Sequence, residues 1–130
     1  GWRGTVGRMG AATIRVMQKH YGTDPKHLIC AIGPSICQDC YEVSEDVAEA
    51  FAEEFPDRKE EILKSKGGGK YLLNLWRANE IVFMEAGVPK AQIVTTNLCT
   101  CCNPNLLFSH RASHGKRGNL GAFLMIKEQG

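Results

Sequence analysis

Residues 72–86 constrain the fold more than any other part of the chain. Leu72, Leu75, Trp76, Asn79, Val82, Phe83 and Ala86 recur at the spacing of one helix face. Such a helix is not stable alone in water; its apolar stripe needs a second layer to pack on. Gly87 sits where a C′ glycine would stop it, and Pro89 prevents continuation. A second helix is expected over residues 5–21, with Val6, Met9, Thr13, Val16 and His20 on one side and Gly22 as its stop. A third should start at Ser44 as N-cap and run to Phe55, where Pro56 ends it. Glu45 and Asp46 in its first turn complement the helix dipole.

Short apolar runs lie between and after these helices. Residues 27–32 read as a buried strand, with Cys30 in the core, closed by a turn at Gly33-Pro34-Ser35. Residues 92–96, 106–110 and 121–126 read as three more strands. Residues 57–66 are charged and expected to face solvent. Gly67-Gly68-Gly69 should form a turn that precedes a helix and has no strand running into it. The element order is then α-β-α-α-β-β-β, an α/β (α+β) class with a mixed sheet and packed helices. A single domain over residues 1–130 is expected, since a chain of 130 residues can bury about two thirds of its unfolded surface.

Charge and cysteine content narrow the function. With 16 basic and 14 acidic residues, net charge +2, the chain lacks the concentrated basic face of a nucleic-acid binder. No apolar run approaches the ~18–20 residues of a membrane span, and no export signal is apparent. Six cysteines accompany ample Leu, Ile, Val and Ala, unlike a disulfide scaffold short of core residues. Reduced thiols and a cytoplasmic location are expected.

Chemistry concentrates near the C-terminus, in Cys99-Thr100-Cys101-Cys102, Phe108-Ser109-His110-Arg111 and His114-Gly115-Lys116-Arg117. Soft nucleophiles, imidazoles and fixed cations this close together suit a site for a polar or anionic small molecule. On a strand over 106–110, Ser109 and Arg111 share a face and His110 takes the other. That disfavours a Ser–His dyad and favours Ser109 with Arg111 as an anion or ribose contact. Lys116 and Arg117 read equally well as surface charge. Arg3, just before the first helix, could strengthen an anion site at that helix's positive end. Neither Gly33-Pro34-Ser35 nor Gly67-Gly68-Gly69-Lys70 has phosphate-loop spacing.

Cys37-x-x-Cys40 and Cys99-x-x-Cys102 form two CxxC pairs. Four thiolates so arranged could enclose a tetrahedral zinc, although the gap between pairs exceeds that of compact zinc ribbons. The commoner reading makes some of them small core residues and one or two of them pocket lining.

Four segments in order resemble the laccase-domain family: Gly1-Trp2-Arg3-Gly4-Thr5; Ala31-Ile32-Gly33-Pro34-Ser35-Ile36 running to Cys40-Tyr41-Glu42-Val43; Leu73-Asn74-Leu75-Trp76-Arg77-Ala78-Asn79; and Leu98-Cys99-Thr100 through Phe108-Ser109-His110-Arg111 to Gly118-Asn119. This family was first described as multicopper polyphenol oxidases and later as purine nucleoside phosphorylases with adenosine deaminase activity. The resemblance implies an α/β/β/α layered fold, of which this chain would be the C-terminal portion of a protein about twice as long. It implies purine nucleoside and phosphate as substrates. It also implies a zinc or copper centre whose histidine and cysteine ligands, with the catalytic residues, would lie upstream of Gly1. Arg3, Cys40, Tyr41, Cys99, Ser109 and Arg111 would bind substrate or phosphate. The isolated portion would leave an apolar face for itself or the absent half to cover. Two alternatives stay open: a four-cysteine zinc module of Cys37, Cys40, Cys99 and Cys102, and a copper-dependent polyphenol oxidase. The second is disfavoured, because His20, His27, His110 and His114 show no HxH spacing.

Overall fold

The structure, a computed structural model, describes residues 1–129. Five α-helices and five short strands follow one another along it, mostly in like pairs: α1 (Trp2–Val6), α2 (Met9–Tyr21), β1 (Cys30–Ile32), β2 (Glu42–Ser44), α3 (Glu45–Glu54), α4 (Lys59–Ile62), β3 (Leu63–Gly67), β4 (Lys70–Leu73), α5 (Leu75–Glu85) and β5 (Ile93–Thr95). The strands divide into a parallel β1–β5 pair and an antiparallel sheet in the order β2-β4-β3. The mixed class expected from sequence is present, with parallel and antiparallel pairing in separate sheets.

The core forms where α3, α4 and α5 meet the antiparallel sheet. Phe51, Phe55, Ile62, Leu73, Ala78, Ile81 and Val82 are essentially inaccessible to water there. The helix expected over 72–86 is shorter, because Leu72 and Leu73 belong to β4. Asn74 caps α5, its side chain accepting from Arg77 N at 3.0 Å. At the other end Gly87 adopts φ +100°, and its amide bonds Met84 O at 3.0 Å. Helix α2 crosses α5 at Gly10, where a Cβ would lie 2.6 Å from Phe83 Cε1.

Several local expectations fail for tertiary reasons. The helix over 5–21 breaks at Gly7 and Arg8, and Arg8 takes φ +53°. Its guanidinium is held by Glu54 and Glu85, on α3 and α5, and lies 4.6 Å over the Phe55 ring. The break turns α2 so that Ala11 and Ile14 are buried, while Met9 and Val16 are 63% and 55% exposed. Of residues 27–32 only Cys30–Ile32 are strand; Pro25–His27 form a 3₁₀ turn, Cys30 is half-buried and Ile29 is exposed. Residues 57–66 hold α4 and β3, and their Ile62 is wholly buried. Gly67, Gly68 and Gly69, all at positive φ, join β3 to β4, so a strand does run into that turn.

The strands expected over 106–110 and 121–126 are absent. Residues 103–115 are a series of turns, and Phe123, Leu124 and Ile126 are almost fully exposed. A strand needs a neighbour to take its backbone hydrogen bonds, and β5 pairs only with β1 among the described residues. No described helix is long and apolar enough to cross a membrane.

One ion-pair cluster clamps α4 to α5. Glu61 accepts from Arg77 Nε and Nη2 at 2.7 and 2.5 Å and also from Arg58. Arg58 and Arg77 hold its carboxyl down to about 2. A carboxyl lowered on folding lends stability that is present above its ordinary value of 4.5 and lost as pH falls toward 2. Glu61→Gln should therefore flatten the acid limb of the urea-midpoint profile in that window; an unchanged limb would show that the cluster lends no stability.

Candidate functional site

Two chemical centres are built from neighbouring residues. The first is a cleft of about 860 Å³ walled by residues from both ends of the sequence. Arg3, Tyr41, Ser109 and Arg111, all picked out from sequence, line it together. Asn79 of α5, Ser35 after β1, and His110 and Arg117 from the C-terminal turns complete its polar wall.

Arg111 and Tyr41 form the most defined contact. The Arg111 guanidinium lies 5.2 Å over the Tyr41 ring, and its Nη1 donates to Glu42 O at 3.1 Å. Arg3 stacks on Trp2 at 4.6 Å. Burial pushes the Tyr41 phenol up, against the opposing pull of Arg111 and Arg3. Neither guanidinium has a carboxylate partner among the described residues. Two uncompensated cations therefore look onto one cleft, a field suited to an anion.

The grounds for Ser109, Arg111 and Arg3 change even though their shared location stands. Without a strand over 106–110 there is no face alternation. Ser109 is buried in a turn where its Oγ accepts from Ala112 N at 3.1 Å. Arg3 lies inside the five-residue helix α1 rather than ahead of a longer one, so helix-end anion binding does not apply. Arg117 reaches the cleft from a turn, its Nε donating to His110 Nδ1 at 3.3 Å. Asn79 gave an apolar-face signal only; it donates to Thr5 Oγ1 at 3.1 Å and fixes α1 against α5. Ser35 Oγ accepts from Trp76 Nε1 at 2.6 Å. The Asn79 and Ser35 contacts join segments 74 and 41 residues apart and leave no local trace in the sequence.

The second centre holds the cysteines. Cys40 and Cys99 do not line the cleft; with Cys37 and Cys102 they bring four sulfurs within 4.8 Å of one another. The sequence gap between the pairs is closed by a parallel bridge, Ser35 to Cys99, with Ser35 N on Leu98 O and Thr100 N on Ser35 O, both at 3.2 Å. The amides of Cys37 and Cys102 each donate to Cys99 Sγ at 3.3 Å. Burial pushes the Cys99 thiol up, but those two amides, together with hydrogen bonds from the Cys37 and Cys102 thiols, bring it down to about 7. The hydrogen bond with Cys102, then burial, pushes the Cys40 thiol up. Cys30 and Cys101 stand outside the group. Among the described residues no other cluster of His, Cys, Asp and Glu is placed to hold a metal.

Residues 1–127 match the family described as multi-copper polyphenol oxidoreductase laccase. The chain belongs to that laccase family. Among its relatives, "Adenosine deaminase RL5" from an unknown prokaryotic organism is 40% identical over 111 residues, 85% of this chain and 42% of the relative. "Purine nucleoside phosphorylase YlmD" of Bacillus subtilis is 32% identical over 128 residues, 98% of this chain and 46% of the relative. The crystal structure of YlmD from Geobacillus stearothermophilus superposes with TM-score 0.85 at 33% identity, covering 91% of this chain and 44% of that one. The chain thus spans less than half the length of the laccase-family relatives it matches, and shares their fold.

Proposed function

We propose that this chain forms the anion- and sugar-holding wall of a purine nucleoside phosphorylase site. The observation that carries the reading is the pair of uncompensated guanidinium groups, Arg3 and Arg111, which line one large cleft together with Tyr41. The relatives named as purine nucleoside phosphorylases supply the substrate class. In phosphorolysis the C–N glycosidic bond breaks while phosphate attacks the anomeric carbon, and positive charge grows on the ribose. Such a site must hold the anion, orient the sugar and stabilise the departing base. Arg111 spends one N–H on Glu42 O and keeps the rest of its fork for phosphate oxygens. The bond Ser109 Oγ accepts leaves its O–H for a ribose or phosphate oxygen. Tyr41 offers a flat face for ribose or base.

The reaction would make the whole protein a cytoplasmic glycosyltransferase, and the relative named as an adenosine deaminase supports hydrolytic deamination as a second activity. A catalytic zinc or copper does not fit the cleft: His110 is its one imidazole among the described residues, and its Nδ1 accepts from Arg117. We therefore place the family's metal ligands and catalytic residues in the part of the relatives that this chain does not span. That part, or a second copy, is the partner that would cover the exposed β1–β5 face and C-terminal run. The polyphenol oxidase reading gains nothing from a cleft with one histidine.

The test is phosphate-dependent release of hypoxanthine from inosine. We expect turnover from a protein that joins this chain to the part of the relatives it lacks, and none from the 130-residue chain alone. Turnover by the chain alone would overturn the division of labour. Failure of the joined, folded protein to release base would overturn the reaction.

A further inference from the structure

We infer that Cys37, Cys40, Cys99 and Cys102 hold one structural zinc ion, separate from any catalytic metal, which fixes the wall of the substrate cleft. Zinc bound by four thiolates at about 2.3 Å requires sulfur–sulfur edges of about 3.8 Å. The Cys37–Cys102 and Cys40–Cys102 edges are 3.9 and 3.4 Å, and all four sulfurs lie within 4.8 Å. The cluster therefore already has nearly the size of the coordination shell.

The backbone is shaped for the same purpose. Each pair is separated by two residues, and each loop folds back on itself, Cys40 N bonding Cys37 O at 3.3 Å and Asn103 N bonding Cys99 O at 3.2 Å. The two amides aimed at Cys99 Sγ would disperse charge from a metal-bound thiolate. An all-sulfur tetrahedral set selects zinc or iron over copper(II), magnesium or calcium. With four protein ligands the shell is closed, leaving no position for water or substrate. The site is structural on that ground. Cys102 is exposed, so the ion can enter without unfolding the loops.

Its position gives it a use. The ligands bracket Ser35, Ile36, Tyr41 and Thr100, all on the cleft wall. They tie segments 62 residues apart in sequence, where the described backbone offers one isolated bridge. Binding releases up to four thiol protons, one from each of the four cysteines, so loading should weaken as pH falls.

Elemental analysis of the 130-residue chain, purified under reducing conditions without added metal, should find one zinc per chain. Exchange for cobalt(II) should give the intense visible bands and thiolate-to-metal charge transfer of tetrahedral cobalt thiolate. Chelation should lower Tm, with recovery on adding one equivalent of zinc. Cys37→Ser with Cys102→Ser should lose the ion, while Cys30→Ser and Cys101→Ser keep it. Should the double variant not fold, Cys40→His gives a second check, retaining one ion but shifting the cobalt bands. Iron in place of zinc, a disulfide among these cysteines in the reduced preparation, zinc well below one per chain, or cobalt bands unmoved by Cys40→His would each overturn the assignment. None of these readouts depends on nucleoside turnover, so the zinc site and the proposed reaction can fail separately.

Discussion

Phe51→Ala is expected to lower the unfolding free energy by about 3–5 kcal/mol. Phe51 is completely buried on the inner face of α3. Its ring stacks on Phe55 with centroids 6.0 Å apart, and the cluster around it draws on α2, β2, α4, β4 and α5. Truncation leaves a cavity among elements that cannot all close on it, so the lost transfer energy and the cavity cost add. Against a total stability of about 5–15 kcal/mol, that loss removes a large share of the margin. Met9→Ala is the matched control: Met9 is 63% exposed, and its truncation should change stability by no more than about 0.5 kcal/mol. Urea midpoints followed by circular dichroism decide between them. Equal shifts for the two variants would mean that the core does not lie where α3, α5 and the antiparallel sheet meet.

That pair of substitutions also marks how far local pattern can be read. Met9 belongs to the helical stripe expected from spacing, yet faces water, because Arg8 enters the left-handed region and reorients everything after it. The cause is the pull of Glu54 and Glu85, 46 and 77 residues further on; no window around Arg8 contains it. Signals that act within a turn or two were legible: Gly22 and Gly87 as helix stops, Ser44 at the head of α3, and the apolar runs that became β1 and β5. The β3–β4 hairpin was missed because most of β3 lies at the surface, so its charged residues read as loop. The opposite error occurred over 106–110 and 121–126, where apolar content suggested strands that have no neighbour to bond. For the cysteines the spacing inside each pair was visible, but the Ser35–Cys99 bridge that brings the pairs together was not. Motif and charge point to Arg3, Tyr41, Ser109 and Arg111, and Arg117 belongs to the same C-terminal cationic cluster; Ser35 and Asn79 are fixed in the cleft by contacts 41 and 74 residues away, which have no local spacing.

In the joined protein, Arg111→Ala should lower kcat/KM for inosine phosphorolysis by about ten- to a hundredfold. A hydrogen bond to a charged group is worth about 1.5–3 kcal/mol, and each 1.4 kcal/mol is about tenfold. If Arg111 holds phosphate in ground and transition states alike, the loss appears as a raised KM for phosphate. If it meets charge that develops only as the glycosidic bond breaks, kcat falls with it. Arg111→Lys should recover part of the loss, since it restores the charge without the planar fork. A merely structural role for Arg111, through its bond to Glu42 O, would leave phosphate dependence untouched. A second readout needs no turnover. The Arg111 charge opposes the burial that raises the Tyr41 phenol, so its removal should push that phenol higher still and move the phenolate absorbance to higher pH. Tyr41→Phe identifies the titrating group. A phenolate titration unmoved by Arg111→Ala would separate the two residues electrostatically. The paired-cation cleft would then have to rest on Arg3 alone.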